Sequence, residues 1–138
     1  MNVRPATADD VFWLVETAAR AYGGLVEGFD RYGTERWVRA CLADPDTVIM
    51  RGEATAGFAQ VVRPPWAPSV PVMDLIHLYG HRDKPLPWEA CNVVAALDDA
   101  RKARGCSKLY IGSIYADLGP IAQRLGGRQL GSLYVLEG

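Results

Sequence analysis

The stretch from Val70 to Arg104 holds the residues best placed to do chemistry. It reads as an apolar strand, Val72-Met-Asp-Leu-Ile-His-Leu-Tyr79, a tight turn from Gly80 to Leu86, and a long helix that begins at Pro87. At such a junction the unpaired N–H groups of the helix start and the positive end of its dipole converge on one point, which suits a phosphate. The turn itself, His81-Arg-Asp-Lys-Pro-Leu-Pro87, works against this, because its two prolines carry no N–H. Asp74 alternates with Ile76 and Leu78 along the strand. Its carboxylate either enters a half-buried sheet face and needs a partner such as an arginine, or points into a cleft as a base. His77 and His81 are four apart, but one falls on a strand and the other in a turn. They do not share the helix face that H-x-x-x-H sites use, and no cysteine or carboxylate completes a ligand set, so no metal is expected. Cys91 faces neither a base nor an oxyanion cradle and reads as core.

The bulk composition limits the setting of these residues. With 138 residues, 49% apolar and 22% charged, the chain suits one well-covered core, and a single domain over 1–138 is expected. A net charge of −1 and a pI near 6.1 give no electrostatic footprint for a polyanion. Nucleic acid and anionic membrane are therefore not expected as partners. Cys41, Cys91 and Cys106 make an odd count without C-x-x-C spacing, and the first ten residues lack the apolar core of a signal peptide. Reduced, buried thiols in a cytoplasm follow as the expectation. No stretch approaches 18 uncharged apolar residues.

The elements that must position Asp74 follow from periodicity. Val3 to Ala6 reads as a short strand; Thr7 caps a helix with Asp9 and Asp10 in its first turn, and Val11, Leu14, Val15, Ala18 and Tyr22 form its apolar stripe before Gly23-Gly24. A second helix, capped by Thr34, buries Trp37, Val38, Cys41 and Leu42 and stops at Asp44-Pro45. Thr47–Met50 and Ala56–Val62 then read as an antiparallel hairpin. Arg63-Pro-Pro-Trp-Ala-Pro-Ser69 is a stiff, extended connection that carries Trp66 either folded against the body or offered to a partner. Beyond Pro87 the stripe Ala90, Val93, Val94, Leu97, Ala100 builds a long helix ended by Gly105. Lys108–Ser113 reads as a strand, Leu118 to Leu125 as a short helix, and Gln129–Leu136 as one or two closing strand segments.

This order, β-α-α-β-β-β-α-β-α-β, resembles the GNAT superfamily of acetyl-CoA-dependent N-acyltransferases over essentially the whole chain. The local matches are Val3-Arg-Pro-Ala-Thr-x-x-Asp10 at the first strand and helix start, Asp74-Leu-Ile-His-Leu78 at the fourth strand, and Arg82-Asp-Lys-Pro85-Leu-Pro87 where that family has R/Q-x-x-G-x-G/A. The resemblance implies an α/β (α+β) fold with a mixed, mostly antiparallel central sheet flanked by about four helices. It implies acetyl-CoA as the cofactor, a site lined by Leu78, Gly80, Arg82, Asp83, Lys84 and Ser113, and Asp74 as the base. Small divergent members of this kind are similar to those carried by tailed phages, including virion-associated ones, so a cytoplasmic chain is expected, and a virion-associated one if it is phage-encoded.

The departures from the family pattern bear on function. Pro85 and Pro87 fall on the two small loop residues, and at about 1.5 to 3 kcal/mol for each charge-assisted bond two lost donors weaken binding by on the order of 10² to 10⁴. Arg82 and Lys84 offset part of this through side-chain charge. The family's general-acid tyrosine falls on Ala122, which leaves Tyr115 or Tyr110 as proton donor. Two readings follow. The favoured one is a GNAT-like scaffold with a degenerate phosphate loop and a binding or structural role, contacting a protein partner or a second copy through Trp66. The other is an atypical acetyl-CoA-dependent N-acetyltransferase that uses Asp74 with Tyr115 or Tyr110.

Overall fold

The computed structural model describes residues 3–80, 87–112, 117–131 and 134–137. Its elements are β1 (Arg4–Pro5), α1 (Val11–Tyr22), α2 (Arg31–Ala43), β2 (Thr47–Arg51), β3 (Thr55–Val62), β4 (Val72–Gly80), α3 (Pro87–Ala103), β5 (Leu109–Tyr110) and α4 (Gly119–Arg124). The five strands form one sheet in the order β1-β2-β3-β4-β5, antiparallel throughout except for the parallel β4–β5 pair. This is the α+β architecture, with a mixed and mostly antiparallel sheet and helices on its faces, that the order of elements predicts.

The helices form where the apolar stripes lie. In α1 the side chains of Val11, Leu14, Val15 and Ala18 are buried against the sheet. The second helix starts a turn earlier than the threonine cap predicts. Asp30 takes the capping position, its carboxylate accepting the Tyr32 N–H at 3.0 Å, while the Thr34 hydroxyl donates to the Asp30 carbonyl at 2.7 Å. A carboxylate at the cap outcompetes the hydroxyl because its bond to an unpaired N–H is charge-assisted.

Two apolar layers sandwich the sheet. On one face α1 and α2 cover Ile49, Phe58 and Tyr79; on the other α3 covers Val48, Ala59, Val61, Met73 and Leu75 through Val93 and Leu97. The Tyr79 hydroxyl donates to the Leu14 carbonyl at 3.0 Å, and burial pushes its pKa far above the ordinary phenol value. The β3–β4 register runs Phe58↔His77 and then Ala59↔Leu75, so Ile76 is an extra residue in β4. This bulge corrects the simple alternation: Ile76 packs on the α1–α2 side, and Leu78 is turned to the α3 side.

The C-terminal quarter departs from the sequence expectation. Among the described residues β5 covers only Leu109–Tyr110 of the expected run, whose end at Ser113 lies outside them, and the described residues between Gln129 and Leu136 contain no strand. Leu130, Tyr134, Val135 and Leu136 are exposed. A strand is defined by its partner, and β5 has a ladder only on its β4 side among the described residues. None of the described helices is long and apolar enough to cross a membrane.

Candidate functional site

Among the described residues the β4–β5 ladder is two pairs long. Met73 pairs with Leu109 and Asp74 with Tyr110, after which β4 continues from Leu75 to Gly80 with no β5 partner among the described residues. Among the described residues this stretch of β4 has a ladder only on its β3 side. Asp74 lies abreast of Gln60 on one side and Tyr110 on the other. Paired residues of neighbouring strands project to the same face, so Gln60, Asp74 and Tyr110 form a polar row with strand spacings of about 4.8 Å.

Within that row the three side chains differ. The Gln60 amide is engaged by Asp44, whose carboxylate also accepts the Asp46 N–H at 3.0 Å and the Thr47 hydroxyl at 2.8 Å; these bonds hold Asp44 below the usual carboxylate range. Asp74 is half-buried and, among the described residues, has no ion pair. The arginine partner that a buried sheet position would call for is absent from the described set. Tyr110 is 38% exposed and is the described phenol nearest in register to Asp74. The register thus sets a carboxylate and a phenol abreast on neighbouring strands.

The other predicted site residues divide into three groups. Arg82, Asp83, Lys84, Ser113 and Tyr115, with Pro85 and His81, lie outside the described residues. Leu78 is packed into the α3 side of the core. Gly80 ends β4 opposite Thr55, and a Cβ there would stand 2.8 Å from the Ala54 carbonyl oxygen. Its smallness is explained by the close approach of the 54–55 backbone.

Two buried carboxylates have partners far away in sequence that the sequence does not show. Glu89, in the first turn of α3, is 1% exposed and accepts the Ala54 N–H at 2.7 Å. A side chain at Gly52 would collide with it, since a Cβ there would lie 2.4 Å from the Glu89 carboxyl carbon. Asp10 is the second: it takes both Arg4 guanidinium nitrogens at 2.8 Å, Arg51 at 3.0 Å and the Thr7 N–H at 2.8 Å. The Arg4 bonds, with those from Thr7 and Arg51, hold its carboxyl well below the usual range against the opposing effect of burial. An acidic residue in a helical first turn is a visible signal, but its distant partners are not.

His77 packs the edge of its ring on Trp37 at 4.9 Å between centroids, and burial lowers its pKa. No group of three or more His, Cys, Asp or Glu that could hold a metal is found among the described residues. Cys41, Cys91 and Cys106 are free and buried, as expected of core thiols. Ala122 on α4 faces a groove of about 890 Å³ that also touches Tyr110, and it brings no hydroxyl to that position. Trp66 is 85% exposed on the proline-rich connection between β3 and β4.

No family model matches the sequence, and no curated protein matches it. Solved structures do match the fold. A GNAT family acetyltransferase of Staphylococcus aureus superposes with a TM-score of 0.70 at 12% identity, over 99% of this chain and 97% of that one. Glucosamine-6-phosphate N-acetyltransferase from Arabidopsis thaliana gives 0.72 at 17% identity, over 99% and 97%. An aminoglycoside N-acetyltransferase in complex with CoA gives 0.76 at 12% identity, over 99% and 93%. The chain thus has the GNAT acetyltransferase fold along its whole length, and at these identities the likeness speaks for fold alone.

Proposed function

We propose that this GNAT-fold chain is a binding protein, working through protein contact and not through turnover of acetyl-CoA. The observation that carries the reading is Trp66, 85% exposed on a segment stiffened by Pro64, Pro65 and Pro68. A large aromatic side chain held out by a stiff loop binds a partner with little ordering cost, and tryptophan is the residue most enriched at binding hot spots. The site chemistry supports the same reading. Pro85 lacks the N–H that a phosphate loop would supply, and Ala122 stands where the acid of an acetyltransferase would be. Resemblance to small phage-borne members, among them virion-associated ones, agrees with a structural role and rests on the sequence alone.

A second reading is supported by the strip from Leu75 to Gly80 and by the abreast pair Asp74 and Tyr110. In this reading acetyl-CoA lies along the β4 backbone from Leu75 to Gly80, Asp74 takes a proton from an acceptor amine, and Tyr110 or Tyr115 returns one to the leaving thiolate. The residues present fit this only in part, since a carboxylate and a phenol are abreast on neighbouring strands while the loop's small residues are prolines. Calorimetric titration with acetyl-CoA and with CoA separates the two. No saturable heat is the outcome expected of a binding protein; micromolar affinity for either molecule would overturn that reading in favour of the transferase.

A further inference from the structure

The connection between β3 and β4 is not extended, as its prolines suggest, but folded into two successive turns. The Ala67 N–H donates to the Pro64 carbonyl and the Val70 N–H to the Ala67 carbonyl, both at 3.0 Å. Pro65 and Pro68 hold the second position of each turn, where the fixed proline φ fits. Trp66 therefore sits on a backbone pinned by its neighbours, and with Pro65, Pro68 and Val70 it forms an exposed apolar knob. A groove lies close by in the fold. β1 pairs only with Met50 and Arg51, and beyond it the edge of β2 lines a groove of about 310 Å³ between the last turns of α2 and α3. Leu42, Ile49, Met50, Ala100 and Ala103 give it apolar walls, and Arg104 is the charged residue of its lining. Its volume is at the low end of ligand clefts, about 300 to 1,000 Å³, which suits a single ring system.

We infer that the Trp66 knob of one copy of this chain seats in the β2-edge groove of a second copy, and the second copy's knob in the groove of the first. The inference rests on the reading of Trp66 as a contact residue and names the partner. Three observations select a second copy. Knob and groove flank one turn, 44–46: Arg63 at the root of the knob bonds the Asp46 carboxylate at 3.2 Å, and Arg104 of the groove donates to the Pro45 carbonyl at 2.6 Å. A knob beside a hole is a self-complementary patch, and a two-fold axis at the turn fills both holes at once and ends growth at two. The charges agree. Arg63 is paired with Asp46, and Asp44 accepts the Asp46 N–H and the Thr47 hydroxyl, so the patch brings no bare carboxylate to the axis. Arg104, by contrast, has no ion pair among the described residues, and its cation suits the face of an incoming indole. Finally, the knob is already ordered by its two turns, so little freedom is lost on seating it.

Sedimentation equilibrium of the full chain at micromolar concentrations tests the seating. The wild type is expected at twice the 15.1 kDa chain mass. Trp66→Ala removes the knob, and Ala103→Gln, a good helix former at an exposed position, fills the groove; each should weaken association by about 30-fold or more with the circular dichroism unchanged. Mixing the two variants is the decisive arm. The mixed pair keeps one sound contact, Trp66 of the Ala103→Gln chain in the groove of the Trp66→Ala chain, and should associate about 5-fold more tightly than either variant alone, since one of two equal contacts returns. A wild type that stays monomeric would overturn the inference and leave Trp66 to a different protein. A dimer weakened by Trp66→Ala but indifferent to Ala103→Gln would seat the indole elsewhere and overturn it too, as would variants that gain nothing on mixing. The titration with acetyl-CoA decides the underlying reading separately, because neither Trp66 nor Ala103 belongs to the row of Gln60, Asp74 and Tyr110.

Discussion

Glu89 accepts the Ala54 N–H at 2.7 Å from inside the core, tying the first turn of α3 to the turn between β2 and β3. Across 35 positions of sequence, one carboxylate thereby sets where α3 begins relative to the β2–β3 turn. The carboxylate also meets the positive end of the α3 dipole. Gly52 leaves the space it occupies.

Removing that carboxylate should be costly. Glu89→Ala leaves the Ala54 N–H buried without an acceptor and opens a void, and about 2 to 4 kcal/mol of stability should be lost. Glu89→Gln keeps an acceptor oxygen and should lose about 1 kcal/mol. Gly52→Ala should lose about 1 to 3 kcal/mol by pressing on the same side chain. Urea denaturation checks all three, and a Glu89→Ala midpoint equal to wild type would mean that α3 is positioned by its apolar stripe alone.

Acid should unfold the chain through Asp10. Its carboxyl is held below its ordinary value of 3.8 in the folded state, chiefly by Arg4, so the unfolded chain binds the proton more tightly. The stabilisation is complete above that ordinary value and is lost as pH falls below it toward the folded value. Arg51, which stacks on the Trp13 ring at 3.5 Å while bonding Asp10, shares in the loss. Asp10→Asn should cost about 2 to 4 kcal/mol at neutral pH and flatten the acid limb of a pH–stability curve, whereas an unchanged limb would assign acid unfolding to other carboxylates.

Asp74 predicts the opposite pattern. Without an ion pair among the described residues, Asp74→Asn should change stability by only about 0.5 kcal/mol. If the chain turns over acetyl-CoA, the same substitution should cut the rate by about 10² or more and leave coenzyme affinity nearly unchanged. Melting curves and a thiol-release assay on one variant give both numbers. A large drop in melting temperature would reveal a structural carboxylate.

How much of this was legible in the sequence depends on the range of the contacts. Periodicity located α1, α3 and the β2–β3 hairpin because a 3.6-residue stripe or a two-residue alternation needs only neighbours along the chain. The sequence points to Thr34 as the start of α2 because a hydroxyl cap and a nearby Asp30 look alike until geometry shows which one reaches the N–H of Tyr32. Ile76 fits a regular alternation in the sequence because a bulge is a relation between two strands and leaves no mark on one of them. Asp10 shows in the sequence only as a first-turn acid and Glu89 carries no sequence signal of its buried role, since only the fold shows that Ala54, Arg4 and Arg51 converge on them. The Gln129–Leu136 strand failed for the complementary reason: its residues suit a strand, but no ladder takes them up among those described.

The last prediction concerns Trp66. Proline restricts the freedom of its loop in the unfolded chain as in the folded one, so the ring is held out at low entropic cost. At 85% exposure the indole shields almost nothing, and Trp66→Ala should shift the denaturation midpoint by no more than about 0.5 kcal/mol of stability. A tryptophan folded over the body would instead cost about 3 to 5 kcal/mol on truncation. If the proposed binding role is right, the same variant should weaken association with the protein partner by about 2 kcal/mol or more while its melting curve superposes on that of the wild type. Near-ultraviolet fluorescence gives an independent check through iodide quenching: Trp66→Ala should remove the most accessible of the four tryptophans, and quenching that stays the same in the variant would mean that Trp66 is shielded in solution.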